Sequence, residues 1–459
     1  MKGALHFVGI GGIGMSAIAR VLLTRGDRIS GSDVHENRLT DQLRADGARI
    51  TIGHRARNID GARAIVISSA IGPTNAEFIA ASERGVPIYR RGEMLAQLMR
   101  GRRGIAVAGT HGKTTTTAMI ACILSNAGLD PTVLIGGEAI EWASNARDGR
   151  GEWFLTEADE SDGSFMELVP EIALVTNIEN DHIASDEELP RLRSAFAGFL
   201  RRLPANGVAV VGIDNPESAA LSRLSHVART LTFGLSERAD VRASNMRFAE
   251  FGSTFDVVAR KKRRGGVQLR VPGEINVVNA LGAIAISLTL DVPFSAASAA
   301  LARFTGVRRR FEVVARCAGI TVVDDYAHHP TEVKATIAAA RAYHDGKVIV
   351  AFQPHRYTRT AYLAHDFADA LSDAHVVFLA PVYAASESPI DGVSERSIGE
   401  PLRARGADVQ YVATVDELPR RILERASPGT LVLMLGAGDI TDSAAVLARQ
   451  LQQRTAVVA

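Results

Sequence analysis

Two glycine-rich turns, each set between an apolar strand and a helix, place the tightest limit on how this chain can fold. The first lies in HFVGIGGIGMSAIARVLL (His6–Leu23) and carries Gly9-x-Gly11-x-x-Gly14. The second, IAVAGTHGKTTTT, follows at residues 105–117. Both turns aim backbone N–H groups and a helix N-terminus at one point, which suits a phosphate and requires a parallel sheet behind the turn. Taken alone, the first turn and Asp33 describe a dinucleotide site and point to an NAD-dependent dehydrogenase. The second departs from G-x-x-x-x-G-K-[ST], because residue 107 is valine. It keeps the order strand, glycine, Gly112-Lys113-Thr114, helix, so Lys113 is expected at a phosphate and the hydroxyl of Thr114 or Thr115 at Mg²⁺.

Around these turns, apolar strands alternate with helical stretches, the pattern of parallel α/β sheets. LHFVGI, DRIS, AIVISSA and VPIYR are the predicted strands before a basic break, LMRGRRG (98–104). IAVAG, PTVLIGG, WFLTEAD, IALVTNI and GVAVVGI form a second run. TLTFG, DVRASNMRFAEFGSTFDVVAR and VQLRVPG read as antiparallel strands, followed by a helix at 276–290. ITVVDDY, KVIVAFQPH, HVVFLAPVY and TLVLMLGAG make a third run after FTGVRRRFE. The expected architecture is three α/β domains, at 1–99, 100–306 and 307–459. The first and third are Rossmann-like; the central one is a mixed sheet of P-loop ATPase type with extra antiparallel strands.

Two acidic clusters follow strands of the central run. FLTEADESDGSF supplies Glu157, Asp159, Glu160 and Asp162; IALVTNIENDH supplies Asn177, Glu179, Asp181 and His182. Mg²⁺ needs only one or two protein ligands beside phosphate oxygens and water, so a carboxylate and an imidazole near the Gly-Lys-Thr turn suffice. A net charge of +1, from 52 basic and 51 acidic residues, gives no general field for nucleic acid or anionic lipid. The short run RKKRRGG (260–266) reads as a solvated hairpin tip. Cys122 and Cys317 fit no metal spacing and read as free thiols. MKGALHFVG leaves no room for a signal peptide, and the uncharged stretch Ile275–Leu290 is too short to span a bilayer. A cytoplasmic protein with no nucleic-acid or membrane partner is expected.

HFVGIGGIGMS, SGSD, SSAI, GTHGKTTTT, EADESDGSF, NIENDH, VPGEINVVNA, GVRRRFE, VDDYAHHPTEV, FQPHRYTRT and GAGDI, in this order, resemble the Mur ligase family along essentially the whole chain. The resemblance implies ATP-dependent joining of L-alanine to UDP-N-acetylmuramate through an acyl phosphate, with ATP and Mg²⁺, by a monomer or homodimer. The alternative is a murein-recycling ligase that attaches a tripeptide; GIGGIGMS, YAHHPTEV and PHRYTRT favour the alanine branch. It also implies that the first glycine turn holds the UDP-sugar diphosphate (Gly11, Gly12, Ile13, Gly14), with Asp33 near the ribose or uracil and Ser68, Ser69 and Ala70 along the uridine. ATP then lies on Gly109, Thr110, His111, Gly112, Lys113, Thr114 and Thr115, with Asn276 and Asn279 at the adenine and Arg310 and Asp325 reaching over from the third domain. Thr114, Glu157 and His182 are the implied Mg²⁺ ligands, and Tyr326, His328, Arg356 and Arg359 the alanine pocket. Lys113, Glu157, His182 and His328 carry the implied catalytic roles.

The chain departs from the family in three ways, one being the segment IASDEELPRLRS after Asp181-His182, which differs from the usual pattern. Pro272-Gly-Glu-Ile275-Asn276 lacks the histidine many relatives have before the asparagine. Between Lys113 and Lys261 there is no lysine, so a carbamoylated lysine bridging a second metal cannot come from the central segment.

Overall fold

The computed structural model describes residues 3–160, 163–179, 188–224, 229–249 and 251–458. Asp162, Asp181 and His182 lie outside the described residues. Three sheets follow one another along the chain. The first is fully parallel and runs, edge to edge, through Arg49–Ile52, Ile29–Asp33, Ala4–Val8, Ala62–Ile67 and Ile88–Arg90. Its central strand, ALHFV, is buried along its whole length, as a strand covered on both faces must be. The edge strand Arg49–Ile52 (RITI), by contrast, is nowhere fully buried and shows no apolar run; the sequence reading did not include it.

The central sheet has ten strands among the described residues. The phosphate-loop strand, Arg103–Ala108, sits in its middle, flanked by Trp153–Glu157 on one side and Ile172–Val175 on the other. The sheet continues past the first flank through Thr132–Ala139 to the edge strand Ser144–Arg147, whose polar sequence SNAR concealed it. Past the second flank come Val208–Gly212 and Arg229–Gly234, then Val241–Ala249, Gly252–Ala259 and Lys262–Leu269. The last three are antiparallel, as expected. TLTFG is not: Arg229–Gly234 runs parallel to both neighbours, touching the later one only through Phe233↔Val241 and Gly234↔Arg242. The physical reason is a short turn in which Asp240 accepts the Thr232 N–H and hydroxyl, so the chain re-enters the sheet in the same direction. The hairpin tip at Arg260 and Lys261 takes φ of 51° and 64°, the mirror-image turn that matches strand twist. The helix expected at 276–290 spans Glu274–Thr289.

The third sheet orders Glu312–Cys317, Ile320–Asp325, Leu431–Leu435, Val348–Phe352, Val376–Leu379 and Val409–Tyr411, with only the first pair antiparallel. VIVAF and LVLML are buried throughout. Cys122 and Cys317 are free thiols. Among the described residues no helix is long and apolar enough to cross a membrane.

Specific contacts join the sheets. Helix Ile13–Thr24 lies against the edge strand Ser144–Arg147, where the buried Asn145 donates to the Ile13 carbonyl and the Ser16 hydroxyl. The hairpin turn at Phe251 reaches the third sheet: its ring stacks on Tyr343 at 5.9 Å, and Tyr343 accepts the Gly273 N–H.

The first sheet also hides one carboxylate. Glu77 is fully buried and accepts from Ser32 and Asn58, with His6 and His54 within 3.5 Å. Burial would raise its pKa, but the hydrogen bonds from His6, Ser32 and Asn58 outweigh that and hold it at about 2. A depressed carboxylate stabilises the fold above its unfolded value and loses that contribution as pH falls through the folded one. Acid titration of thermal stability is therefore expected to show a loss between roughly pH 4.5 and 2, of the order of 3 kcal/mol. Glu77→Gln should flatten that segment of the curve and lower Tm at neutral pH.

Candidate active site

Glycine chemistry shapes the second turn. Gly109 and Gly112 take φ of 128° and 81°, and Gly112 caps helix Lys113–Asn126. Those conformations turn the Gly109 and Thr110 carbonyls onto the Lys113 ammonium, at 2.5 and 3.1 Å. Glu160 adds two contacts of 2.9 and 3.0 Å. Burial would push the lysine down, but Glu160 more than offsets this and holds Lys113 above the ordinary lysine range. Glu160 itself is pushed up to about 6, by burial against the pull of Lys113.

The flanking strands splint the loop. The Thr176 hydroxyl donates to the His111 carbonyl at 2.6 Å, the Asn177 side chain accepts the His111 N–H at 2.9 Å, and Thr110 exchanges hydrogen bonds with the Glu179 backbone. On the other flank Glu157 accepts from the Thr114 hydroxyl at 3.1 Å and from the Gly136 N–H. Burial raises the Glu157 carboxyl above its usual range despite Gly136, Lys113 and Arg310. A carboxylate and a hydroxyl with only oxygen to offer, one of them short of positive charge, fit a hard divalent cation.

Asn276, Asn279, Arg310 and Asp325 line one cavity of about 60 Å³ with His111, Gly112, Thr115 and Glu332. This cavity lies where the phosphate loop of the central domain and the third domain meet. Asn279 packs on the loop itself: a Cβ at Gly112 would come within 2.4 Å of its Oδ1, which also accepts the Thr116 hydroxyl. Its amide donates to Asn276, whose own amide donates to the Pro272 carbonyl. Asp325 spends both oxygens on the backbone N–H groups of Phe311 and Ala327, each at 2.7 Å, and burial pushes it up to about 6 despite Arg310. Asn279 and Asp325, expected at the nucleotide, are held by these bonds in the wall of that cavity.

Tyr326 lies between Arg309 and Arg310, with guanidinium carbons 5.0 and 5.2 Å from its ring. Its edge meets His328 at 5.1 Å; His328 meets His355 at 5.7 Å, and His355 stacks on Tyr383. Arg356 follows His355 at φ 70°, its N–H tied to the Tyr383 carbonyl, and Arg359 is buried one turn later. His355 and Tyr383 thus join Tyr326 and His328 in one run of ring contacts, with Arg356 and Arg359 on the adjoining segment. His355 was inside a quoted motif; Tyr383 comes from the end of a different strand and left no signal.

In the first sheet, Gly11 donates its N–H to Asp33 at 2.7 Å, so Asp33 anchors the glycine turn. Ser68 lies beside Gly9, and Ser69 and Ala70 are exposed on the same edge. A Cβ at Gly14 would stand 3.1 Å from the Arg91 guanidinium, which also reaches Asp159 and Ser164. Arg91, absent from the sequence reading, thereby links the first turn to the acidic loop carrying Glu157 and Glu160.

Family models match the chain in three consecutive blocks: the Mur ligase family catalytic domain at 4–103, the Mur ligase middle domain at 107–287, and the Mur ligase glutamate ligase domain at 309–438. The chain belongs to the Mur ligase family. It is 47% identical to the UDP-N-acetylmuramate–L-alanine ligase of Myxococcus xanthus over 95% of this chain and 93% of that protein. It is 43% identical to the enzyme of the same name from Rhizobium johnstonii, over 98% and 97%. Among solved structures, the UDP-N-acetylmuramate–alanine ligase MurC of Thermotoga maritima superposes with a TM-score of 0.85 at 32% identity, covering 98% and 99%. A murein peptide ligase from Psychrobacter arcticus shares the fold at 24% identity and a TM-score of 0.74, covering 98% of each chain. The Mur ligase fold accounts for the three consecutive α/β sheets.

Gly136 is a further residue the sequence reading missed. A Cβ there would stand 2.6 Å from Glu157 Oε2. Gly136→Ala is expected to displace that carboxylate and lower turnover at least about ten-fold, with a raised Mg²⁺ requirement and a small change in Tm. Activity against Mg²⁺ concentration, alongside a thermal melt, checks this.

Proposed function

We propose that this Mur ligase joins L-alanine to the lactyl carboxylate of UDP-N-acetylmuramate, consuming ATP and releasing ADP and phosphate for cell-wall precursor synthesis in the cytoplasm. The observation that carries the reading is the second glycine turn, with Lys113 charged and Glu157 beside Thr114, brought against the third domain by the His111–Glu332 contact. The domain division at residues 99/100 and 306/307 belongs to the same reading, with UDP-sugar, ATP and alanine on successive domains.

A carboxylate is a poor acyl donor because its leaving group would be oxide. In the proposed course its oxygen attacks the γ-phosphorus, ADP leaves, and an acyl phosphate results. The alanine amine then attacks the acyl carbon, loses a proton, and phosphate departs. Lys113 and the loop N–H groups hold the β- and γ-phosphates and offset charge on the transferring group. Thr114 and Glu157, with His182, would hold Mg²⁺, which adds further neutralisation when bound. Arg356 and Arg359 suit the alanine carboxylate, since a guanidinium fork pairs both of its oxygens. His328 and Tyr326 bound the space where the amine must lie. The third domain meets the loop through Thr331 and Glu332, and that closed arrangement would exclude water from the acyl phosphate.

Phosphate release with ATP, Mg²⁺ and UDP-N-acetylmuramate, surveyed over free amino acids and the recycling tripeptide, tests the assignment. L-alanine is expected to give the highest kcat/KM; preference for the tripeptide would establish the recycling ligase instead. Lys113→Ala is expected to abolish ADP release while leaving UDP-sugar binding intact, as measured by calorimetry.

A further inference from the structure

One carboxylate sits between the phosphate loop and the alanine pocket. Glu332 lies in the first turn of helix Pro330–Tyr343, and its side chain is only 12% exposed. Its Oε1 is 3.2 Å from Nδ1 of His111, in the phosphate loop of the central sheet, and 3.8 Å from Arg310. Its Oε2 accepts the backbone N–H of His328 at 3.1 Å and lies 3.1 Å from His328 Nδ1. Burial would raise this carboxyl, but His328 and His111 hold it well below the usual range, so it stays ionised.

The neighbouring contacts point the same way. The His111 backbone is fixed by Thr176 and Asn177, so its imidazole reports where the loop is. Its Nε2 lies 3.4 Å from Glu179, which accepts the hydroxyl of Thr331, one residue before Glu332. His111, Glu179 and His329 have the spacing of a metal site. However, His329 accepts the Thr331 N–H on Nδ1, which places its ring proton on Nε2 and makes it a donor there. The junction is hydrogen-bonded rather than metal-built.

We propose that Glu332 is a positioning residue that registers the phosphate loop against the alanine pocket, one oxygen holding each side. The proposal rests on the ligase reading given above. Its two arms join the phosphate loop of the central domain to the third domain, so forming one arm presents the carboxylate for the other. ATP that orders the loop thereby favours a formed alanine pocket, and by linkage alanine favours ATP equally.

The test uses the full chain, assayed by phosphate release, as the unchanged protein, Glu332→Gln, His111→Ala and the double variant. Glu332→Gln is expected to raise KM for both ATP and L-alanine about ten-fold, through loss of a charge-assisted contact, and to leave KM for UDP-N-acetylmuramate within about two-fold. His111→Ala changes no residue of the alanine pocket, yet it is expected to raise the alanine KM several-fold in the unchanged background and no further in the Glu332→Gln background. His111→Asn, whose amide nitrogen stands where Nδ1–H stood, is expected to recover most of the loss. An alanine KM that stays within about two-fold in His111→Ala, or effects that multiply in the double variant, would overturn the proposal. Should Glu332→Gln fail to fold, the His111→Ala and His111→Asn pair decides alone, and an asparagine no better than alanine counts against it. Failure of the unchanged protein to release phosphate with L-alanine would instead remove the ligase reading itself.

Discussion

A lysine ammonium must be withdrawn from water here without losing its charge, and much of the central domain is arranged around that requirement. Desolvation of an ammonium costs several kcal/mol unless partners replace the lost water. Lys113 obtains them from the Gly109 and Thr110 carbonyls, in a turn whose Gly109 and Gly112 take positive φ, and from Glu160 just past the neighbouring strand Trp153–Glu157. This explains the strand order. The phosphate-loop strand needs neighbours on both sides whose C-terminal ends deliver chemistry: Glu157 and Glu160 from one, Thr176, Asn177 and Glu179 from the other. A parallel sheet supplies both at one edge.

The same physics makes the first turn ambiguous when read alone. Gly9, Gly11 and Gly14 specify a close approach of backbone to a diphosphate, and a diphosphate is common to many nucleotides. What separates the possibilities is the company the turn keeps. Arg91 ties it to the acidic loop beside Glu157, so whatever it binds is presented to the ATP chemistry. The dehydrogenase alternative has no use for that connection.

Features carried by short contiguous patterns were legible in the sequence: both glycine turns, the buried parallel strands, and the carboxylates that follow them. Local conformation and chemistry coincide there, so a few adjacent residues suffice. Features that depend on a distant partner were not. Gly136 matters because Glu157 needs its space, Arg91 because Gly14 is bare, and Glu332 because two histidines from different domains converge on it. Gly136 and Arg91 lie in no pattern that marks them, and Glu332, although inside VDDYAHHPTEV, is not set apart there from its neighbours. Edge strands escaped for two reasons: RITI buries too little to need an apolar run, while SNAR is buried but polar, its Asn145 bonded to helix Ile13–Thr24. Asn279 and Asp325 were picked out by resemblance, but the bonds by which they brace the loops depend on partners elsewhere in the chain.

A sheet of ten strands has two rims, and a bare rim invites pairing with another chain. One rim, Ser144–Arg147, is shielded by helix Ile13–Thr24, with Asn145 occupied by that helix. The other begins at the hairpin tip, and its later half is shielded by the helix Phe294–Leu301, where Ser298 takes the Gly266 carbonyl. The stretch left bare is Lys262–Arg264, the middle of the basic run. Arg263 is paired with Asp256 at 2.6 Å, and Lys262 and Arg264 keep that rim net positive, so two such rims repel and the ten-stranded sheet is guarded against edge-on aggregation.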